Sequence, residues 1–441
     1  MHVVERFAAW AEDYRKVPIS AEVQHHAKRA VIDWYAALLP GAVVSPATLL
    51  ETALQDELGK GKARLALGRS ASVRAAALIN GSAAHSVEVD DIFRDGIYHP
   101  GAPTIAAALA LAQSTGASGA QFLRAVIVGY EISTRIGAAM GRAHYRYWHN
   151  TGTIGVFGAC AACAELLGLD ARRFAHALAT VTTFSAGLQQ AFRMDSMSKP
   201  LHAGRAAEAG VTAALAAREG VTGSLDVIEG EAGLGRAMGD NPDWNKLFES
   251  LGKDFHICRM TFKNHACCGH TFAAIDGALA LQQRMKVAAR EIERIRVGSY
   301  RAAKEVSGYE SPRTPAEARF SLKYVVATAL THGSVRLAAF EPARMNDTAT
   351  RELMKRIEVA IDPELDAAFP QQRAARVSIT ARGRCEEHLQ PTRIGDPDAP
   401  LTDAQLEEKF IELAGPVLGE AGARQLLARL WNIDSAQNLG Q

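Results

Sequence analysis

Glu88-Val89-Asp90-Asp91 and His99-Pro100-Gly101, a short way after Asn80-Gly81, set acid and base groups beside a turn in an otherwise apolar, alanine-rich stretch. Further along, His149 follows Tyr145-Arg146-Tyr147-Trp148, and Lys199 and His202 flank Pro200-Leu201 in a segment that ends at Gly204. Three separate stretches therefore offer proton carriers and cations next to glycine or proline. Imidazole and ammonium groups tuned by burial exchange protons near neutral pH and still attract carboxylates, so the combination suits proton chemistry on an anionic small molecule.

Those stretches need a frame. Between residues 20 and 252, Ala, Leu, Ile and Val recur at three- and four-residue spacing with glycine or proline between segments, which predicts successive helices and almost no sheet. Ser20 caps a helix running to residue 34, Pro103 opens one that reaches residue 113, and Ser118 precedes one that reaches residue 140. Gly152, Gly155 and Gly158 read as close helix contacts rather than a phosphate loop, because no strand precedes them. After residue 252 the character changes. Residues 292–300, 356–361 and 375–381 alternate as strands, and residues 275–284 and 318–331 read as helices among them. Beyond Pro400, Thr402 caps a return to helix. The fold class expected is mainly α, a large all-helical domain with a second, smaller α+β domain. The helical domain takes residues 1–255 completed by 400–441, and the smaller one takes 256–399.

The 441 residues are 48% hydrophobic, enough for a sizeable core, and 49 Lys+Arg against 48 Asp+Glu leave a formal charge of +1. Nothing in that balance attracts a polyanion, and no basic stripe interleaves with aromatics, so nucleic acid is not expected as a partner. The first ten residues lack the pattern of a signal peptide and no apolar run reaches spanning length, so a cytoplasmic protein without membrane contact is expected. Six unevenly spaced cysteines predict reduced thiols. Cys160 and Cys163 sit in a helical pattern and read as packing residues. Cys258, Cys267 and Cys268, near His256, His265 and His270, raise a zinc or iron–sulfur alternative, but adjacent cysteines without a second paired motif do not make a metal set, and no metal or other cofactor is expected.

The ordered segments from Asn80 to Asp91, His99-Pro100-Gly101, Gly129-Tyr130-Glu131, His149-Asn150-Thr151-Gly152-Thr153, Lys199-Pro200-Leu201-His202-Ala203-Gly204 and Ala318-Arg319-Phe320-Ser321-Leu322-Lys323-Tyr324 resemble the MmgE/PrpD family along most of the chain. Its members include 2-methylcitrate dehydratase, cis-aconitate decarboxylase and iminodisuccinate epimerase. The resemblance implies a large helical domain with a smaller α+β domain and a homodimer. It carries the family's site positions to Glu88, His99, His149, Lys199 and Tyr300, with residues 265–270 as another wall. Glu88 stands where the decarboxylase has Asp, Ile92 where it has Thr, and Cys268 where it has a catalytic His; the loop between Asp91 and His99 is one residue longer.

Taken singly, a histidine beside a turn is more often a satisfied polar group than a catalyst, and Glu88, Asp90 and Asp91 could cap a helix or pair with arginines. Together they define an expected catalytic set of His99, His149, Lys199, Glu88, Asp91 and Tyr300. His202, His270, Arg193 and Arg301 are expected to bind substrate, the guanidinium forks matching carboxylates. In this reading His99 and His149 are the acid–base pair, Glu88 or Asp91 orients a histidine, and Lys199 holds a substrate carboxylate. The expected function is a cofactor-independent lyase dehydrating a 2-methylcitrate- or citrate-type di- or tricarboxylate. The alternatives are an epimerase or isomerase, a cis-aconitate-type decarboxylase, and a non-catalytic carboxylate-binding homologue.

Overall fold

The computed structural model describes residues 1–192 and 196–440 and divides into two compact units, Met1–Thr261 with Thr402–Gln441, and Phe262–Leu401. The first is helical. Its principal helices are α1 (Ala21–Ala42), α2 (Val73–Ala84), α3 (Gly101–Thr115), α4 (Gly119–Tyr145), α5 (Gly155–Leu166), α6 (Ser198–Arg218) and α9 (Asp403–Trp431). Side-chain caps start them where the sequence supplies an oxygen: Ser20 accepts from the Val23 N–H, Ser72 from Ala75, and Ser118 and Thr402 form capping boxes with Gln121 and Gln405. Helices α3 and α5 are buried nearly all round, which their run of small residues allows. Helix α6 packs on α2 and α5, and α9 returns to pack on α1.

Small residues bring these helices unusually close. A Cβ on Gly204 of α6 would lie 2.1 Å from the Leu78 carbonyl oxygen of α2, and one on Gly158 would lie 2.3 Å from Thr104 Oγ1 of α3. Gly152 and Gly155 are equally confined, so the glycine triplet serves close packing, and Cys160 and Cys163 beside it are fully buried. Two features depart from the periodicity. Helix α4 runs past residue 140 but breaks at Gly141 (φ 55°, ψ −149°), and a two-stranded antiparallel pair, β1 (Leu58–Arg64) with β2 (Ser70–Ala71), interrupts the helical series.

The second unit holds a four-stranded sheet in the order β4-β3-β5-β6, with β3 (Ile292–Ser299), β4 (Ile357–Ile361), β5 (Ala375–Ala381) and β6 (Arg384–Gln390). Strand β3 pairs parallel with β4 and antiparallel with β5. Helices α7 (Phe272–Met285) and α8 (Leu322–His332) accompany it, and α7 packs on β5 and β6. The helix expected over 318–331 is two, Pro315–Arg319 and α8, because Ser321 between them caps α8 through the Tyr324 N–H. The chain is thus mainly α with a smaller α+β part. No single helix among the described residues is long and apolar enough to cross a membrane.

Candidate active site

Helix α2 ends at His85, and the chain then makes a tight excursion before entering α3. Glu88 takes a left-handed backbone (φ 61°), a conformation that costs an ordinary side chain about 1–2 kcal/mol. Two cations hold the excursion. Lys199, in the first turn of α6, pairs with the Glu88 carboxylate, and buried Lys409 of α9 donates to the Val89 carbonyl at 2.7 Å and to Asp33 of α1 at 2.5 Å. Beyond it, Phe93 and Tyr98 bridge antiparallel, the Asn150 amide donates to the Gly96 carbonyl at 2.7 Å, and the His99 N–H donates to Thr151 Oγ1 at 3.2 Å.

The result is a cluster of imidazoles drawn from four segments. The ring centroids of His85 and His99 lie 4.6 Å apart, those of His85 and His149 5.4 Å, and those of His149 and His202 5.2 Å. Nδ1 of His149 sits 3.0 Å from Nδ1 of His202, one turn along α6 from Lys199. His149 itself precedes the helical turn Asn150–Thr153, its N–H donating to the Gly187 carbonyl at 2.9 Å. Asp90, fully buried, places one carboxylate oxygen 2.7 Å from His85 Nδ1 and 3.1 Å from His99 Nδ1.

Burial sets the protonation states. The His149 imidazole is pushed well below its ordinary range by burial, and then by His85, Lys199, His202 and His99 around it, so it is neutral at pH 7. His202 is lowered by burial and by the neighbouring His85 and Lys199. Lys199 goes the other way: burial alone would lower it, but the Glu88 carboxylate outweighs burial and holds the ammonium charged. Burial would likewise raise Asp90, yet the charges and N–H groups of His99 and His85 keep it well below the usual carboxylate range.

Of the residues singled out in the sequence, the fold brings together His99, His149, His202, Lys199 and Glu88. Asp91 lies elsewhere: its oxygens accept from the Gly101 N–H at 3.0 Å and the Tyr130 hydroxyl at 2.8 Å, so it anchors the start of α3. Burial together with the nearby Asp33 and Asp90 raises its carboxyl well above the usual range. Glu88 or Asp91 was expected to orient a histidine; in the structure Glu88 pairs with Lys199, Asp91 binds Gly101 and Tyr130, and Asp90 is the acid that faces the imidazoles of His85 and His99. His85 was passed over in the sequence, although its place five residues before Asp90, at a helix end, was a usable signal. Arg193 lies outside the described residues.

The remaining expected residues belong to the second unit. His270 Nδ1 lies 2.8 Å from the Tyr300 hydroxyl, and the buried Tyr300 ring stacks on Phe369 at 4.4 Å. Burial first, then Arg373 and Arg393, lowers His270 to about 4, while burial raises Tyr300 to about 12 against the pull of the same arginines. Arg301 is exposed and bound to Asp366 through its backbone N–H at 2.7 Å. The cysteine–histidine set does not assemble: His265 pairs with Asp276 at 2.9 Å, Cys267 contacts Thr271, and Cys258 lies with Glu22 and His26. Among the described residues the other group able to surround a cation is His85, Asp90 and His99.

A helical unit that gathers four imidazoles, an ammonium and one buried carboxylate is followed in the chain by an α+β unit. The MmgE/PrpD N-terminal domain matches residues 5–247 and the MmgE/PrpD C-terminal domain residues 265–433, and the chain belongs to the MmgE/PrpD family. It is 26% identical to the cis-aconitate decarboxylase-like protein oryM of Aspergillus oryzae, over all of this chain and 96% of that protein. It is 28% identical to human cis-aconitate decarboxylase, over 82% of this chain and 77% of that protein, and 24% identical to the Aspergillus terreus decarboxylase, over 98% and 93%.

Proposed function

We propose that the protein is a lyase acting on a small tricarboxylate, with decarboxylation of a cis-aconitate-type substrate as the leading reaction. The observation that carries the reading is the convergence of His99, His149 and His202 beside Lys199. Decarboxylation breaks the carbon–carbon bond to a departing carboxylate, whose electron pair shifts through the alkene and leaves negative charge on a carbon next to another carboxylate. Lys199 meets that charge, and an imidazole delivers the proton that quenches it. In the free site burial first, and then Lys199 and the neighbouring imidazoles, keep His149 neutral; an anionic substrate opposes the electrostatic part of that shift and favours a proton on the cluster. Lys199 exchanges Glu88 for a substrate carboxylate, which part-exposure of both side chains permits.

The relatives' activity supports decarboxylation. Dehydration of a 2-methylcitrate-type substrate is the second reading, favoured by Glu88, Ile92 and Cys268 standing where the decarboxylase pattern has Asp, Thr and His. There a neutral imidazole removes the proton next to a carboxylate while a protonated group gives one to the leaving hydroxyl, and an alkene and water depart. The test is to incubate the protein with cis-aconitate, 2-methylcitrate, citrate and iminodisuccinate, following carbon dioxide, alkene absorbance and deuterium uptake from heavy water. Lys199→Ala and His149→Gln are each expected to lower turnover at least ~100-fold without unfolding the protein. Binding without any turnover would instead mark a non-catalytic carboxylate-binding protein, and near-normal rates in both variants would remove these residues from the reaction.

A further inference from the structure

We infer that Asp90 and His85 are positioning residues for His99, a buried carboxylate–imidazole pair that fixes which ring nitrogen of His99 carries its proton. The inference rests on the reading of His99 as a proton carrier. One oxygen of Asp90 lies within hydrogen-bonding distance of two Nδ1 atoms, 2.7 Å from His85 and 3.1 Å from His99. A carboxylate oxygen only accepts, so a proton at Nδ1 is what lets each ring pair with it: His85 does so in a hydrogen bond, and His99 through a 3.1 Å contact that is short but not aligned as one. The lone pair of His99 then belongs to Nε2, which becomes the nitrogen that takes or returns a proton.

His85 is the less obvious half of the device. It is wholly buried at the end of α2, edge-on to His99 and stacked parallel to His149, and its Nε2 is buried with no hydrogen-bond partner among the described residues. It fills the slot between the two rings and supplies the second N–H that keeps a carboxylate ionised in a dry interior. Asp90 is 1% exposed, so with one donor it would hold its charge poorly and His99 would lose a fixed acceptor. The Val89 carbonyl next door is pinned by Lys409, which fixes the segment that presents Asp90.

The experiment compares Asp90→Asn, His85→Asn and His99→Gln in the full chain. Turnover is measured on whichever substrate the screen above identifies, and the histidine tautomers are read from long-range proton–nitrogen spectra of protein labelled with nitrogen-15 histidine. In the unsubstituted protein His99 is expected as the Nδ1–H tautomer. Asp90→Asn is expected to shift that tautomer and to lower kcat about 100-fold with KM changed less than about threefold, as outer-shell partners of an oriented histidine do. His85→Asn is expected to lower kcat about tenfold. If His99→Gln abolishes turnover while Asp90→Asn keeps both the rate and the Nδ1–H tautomer, the inference is wrong. If His99→Gln is harmless, the reading of the site fails instead, and the spectrum still decides whether Asp90 fixes the ring. Should Asp90→Asn not fold, the tautomer in His85→Asn decides. Stoichiometric zinc binding that required Asp90 would also overturn the inference, because both Nδ1 atoms would then face a metal.

Discussion

Lys409→Met separates the ammonium from its apolar stem. In the native protein Nζ satisfies Asp33, which is fully buried, and the Val89 carbonyl beneath the histidine cluster. Removing one partner of a buried pair strands the other and costs about 3–5 kcal/mol. The loss is pH-dependent. Burial raises Asp33 to about 6 even with Lys409 beside it, Arg29 also pulling it down and Asp90 pushing it up. A carboxyl raised on folding binds more protons in the native state than in the unfolded chain, so its contribution is present at low pH and withdrawn as pH climbs through the folded value. Asp90, held well below the usual range, stays ionised throughout that window. Without the ammonium, Asp33 rises further and resists ionising at alkaline pH, whereas near pH 5 it is protonated in both proteins. Urea unfolding is therefore expected to show a deficit of about 3–5 kcal/mol near pH 8 that shrinks on going to about pH 5. A deficit below about 1 kcal/mol at pH 8, or the same deficit at both values, would refute the argument.

Gly204→Ala places a methyl more than 1 Å inside ordinary contact with the Leu78 carbonyl, so α2 and α6 must part; stability is expected to fall by about 1–3 kcal/mol and turnover by at least tenfold, checked by denaturation and steady-state rates. The buried His149, lowered from its ordinary value by burial and then by its cationic neighbours, binds fewer protons in the native state than in the unfolded chain below pH 6.5. It therefore costs stability as pH falls, and His149→Gln is expected to lose less stability between about pH 6.5 and 5 than the unsubstituted protein; parallel pH dependences would contradict this.

Caps and apolar periodicity made α1, α3, α9 and strands β3 to β5 readable, since each carries its own signal in consecutive residues. Strand β1, Leu58-Gly59-Lys60-Gly61-Lys62-Ala63-Arg64, carries none: only Leu58 and Ala63 are buried, and glycine and lysine fill the rest. Strand β6 is hidden for a related reason, being an edge strand of charged and half-exposed residues with no buried face. At the site, His99 and Lys199 stood out because each directly precedes proline, and His149 and His202 because each lies within three residues of a glycine. Which acid of Glu88, Asp90 and Asp91 met the histidines did not, because it depends on a left-handed turn at Glu88 and on packing against helices remote in sequence.

The helical unit is discontinuous, its chain leaving at Thr261 and coming back at Thr402 with α9. During synthesis on the ribosome, Asp33 and the Val89 carbonyl emerge more than 300 residues before Lys409. A nascent chain stalled short of that lysine lacks the ammonium that pairs with Asp33 and holds the Val89 carbonyl. The last α-helix to be made is thus the one that fastens the segment presenting Asp90.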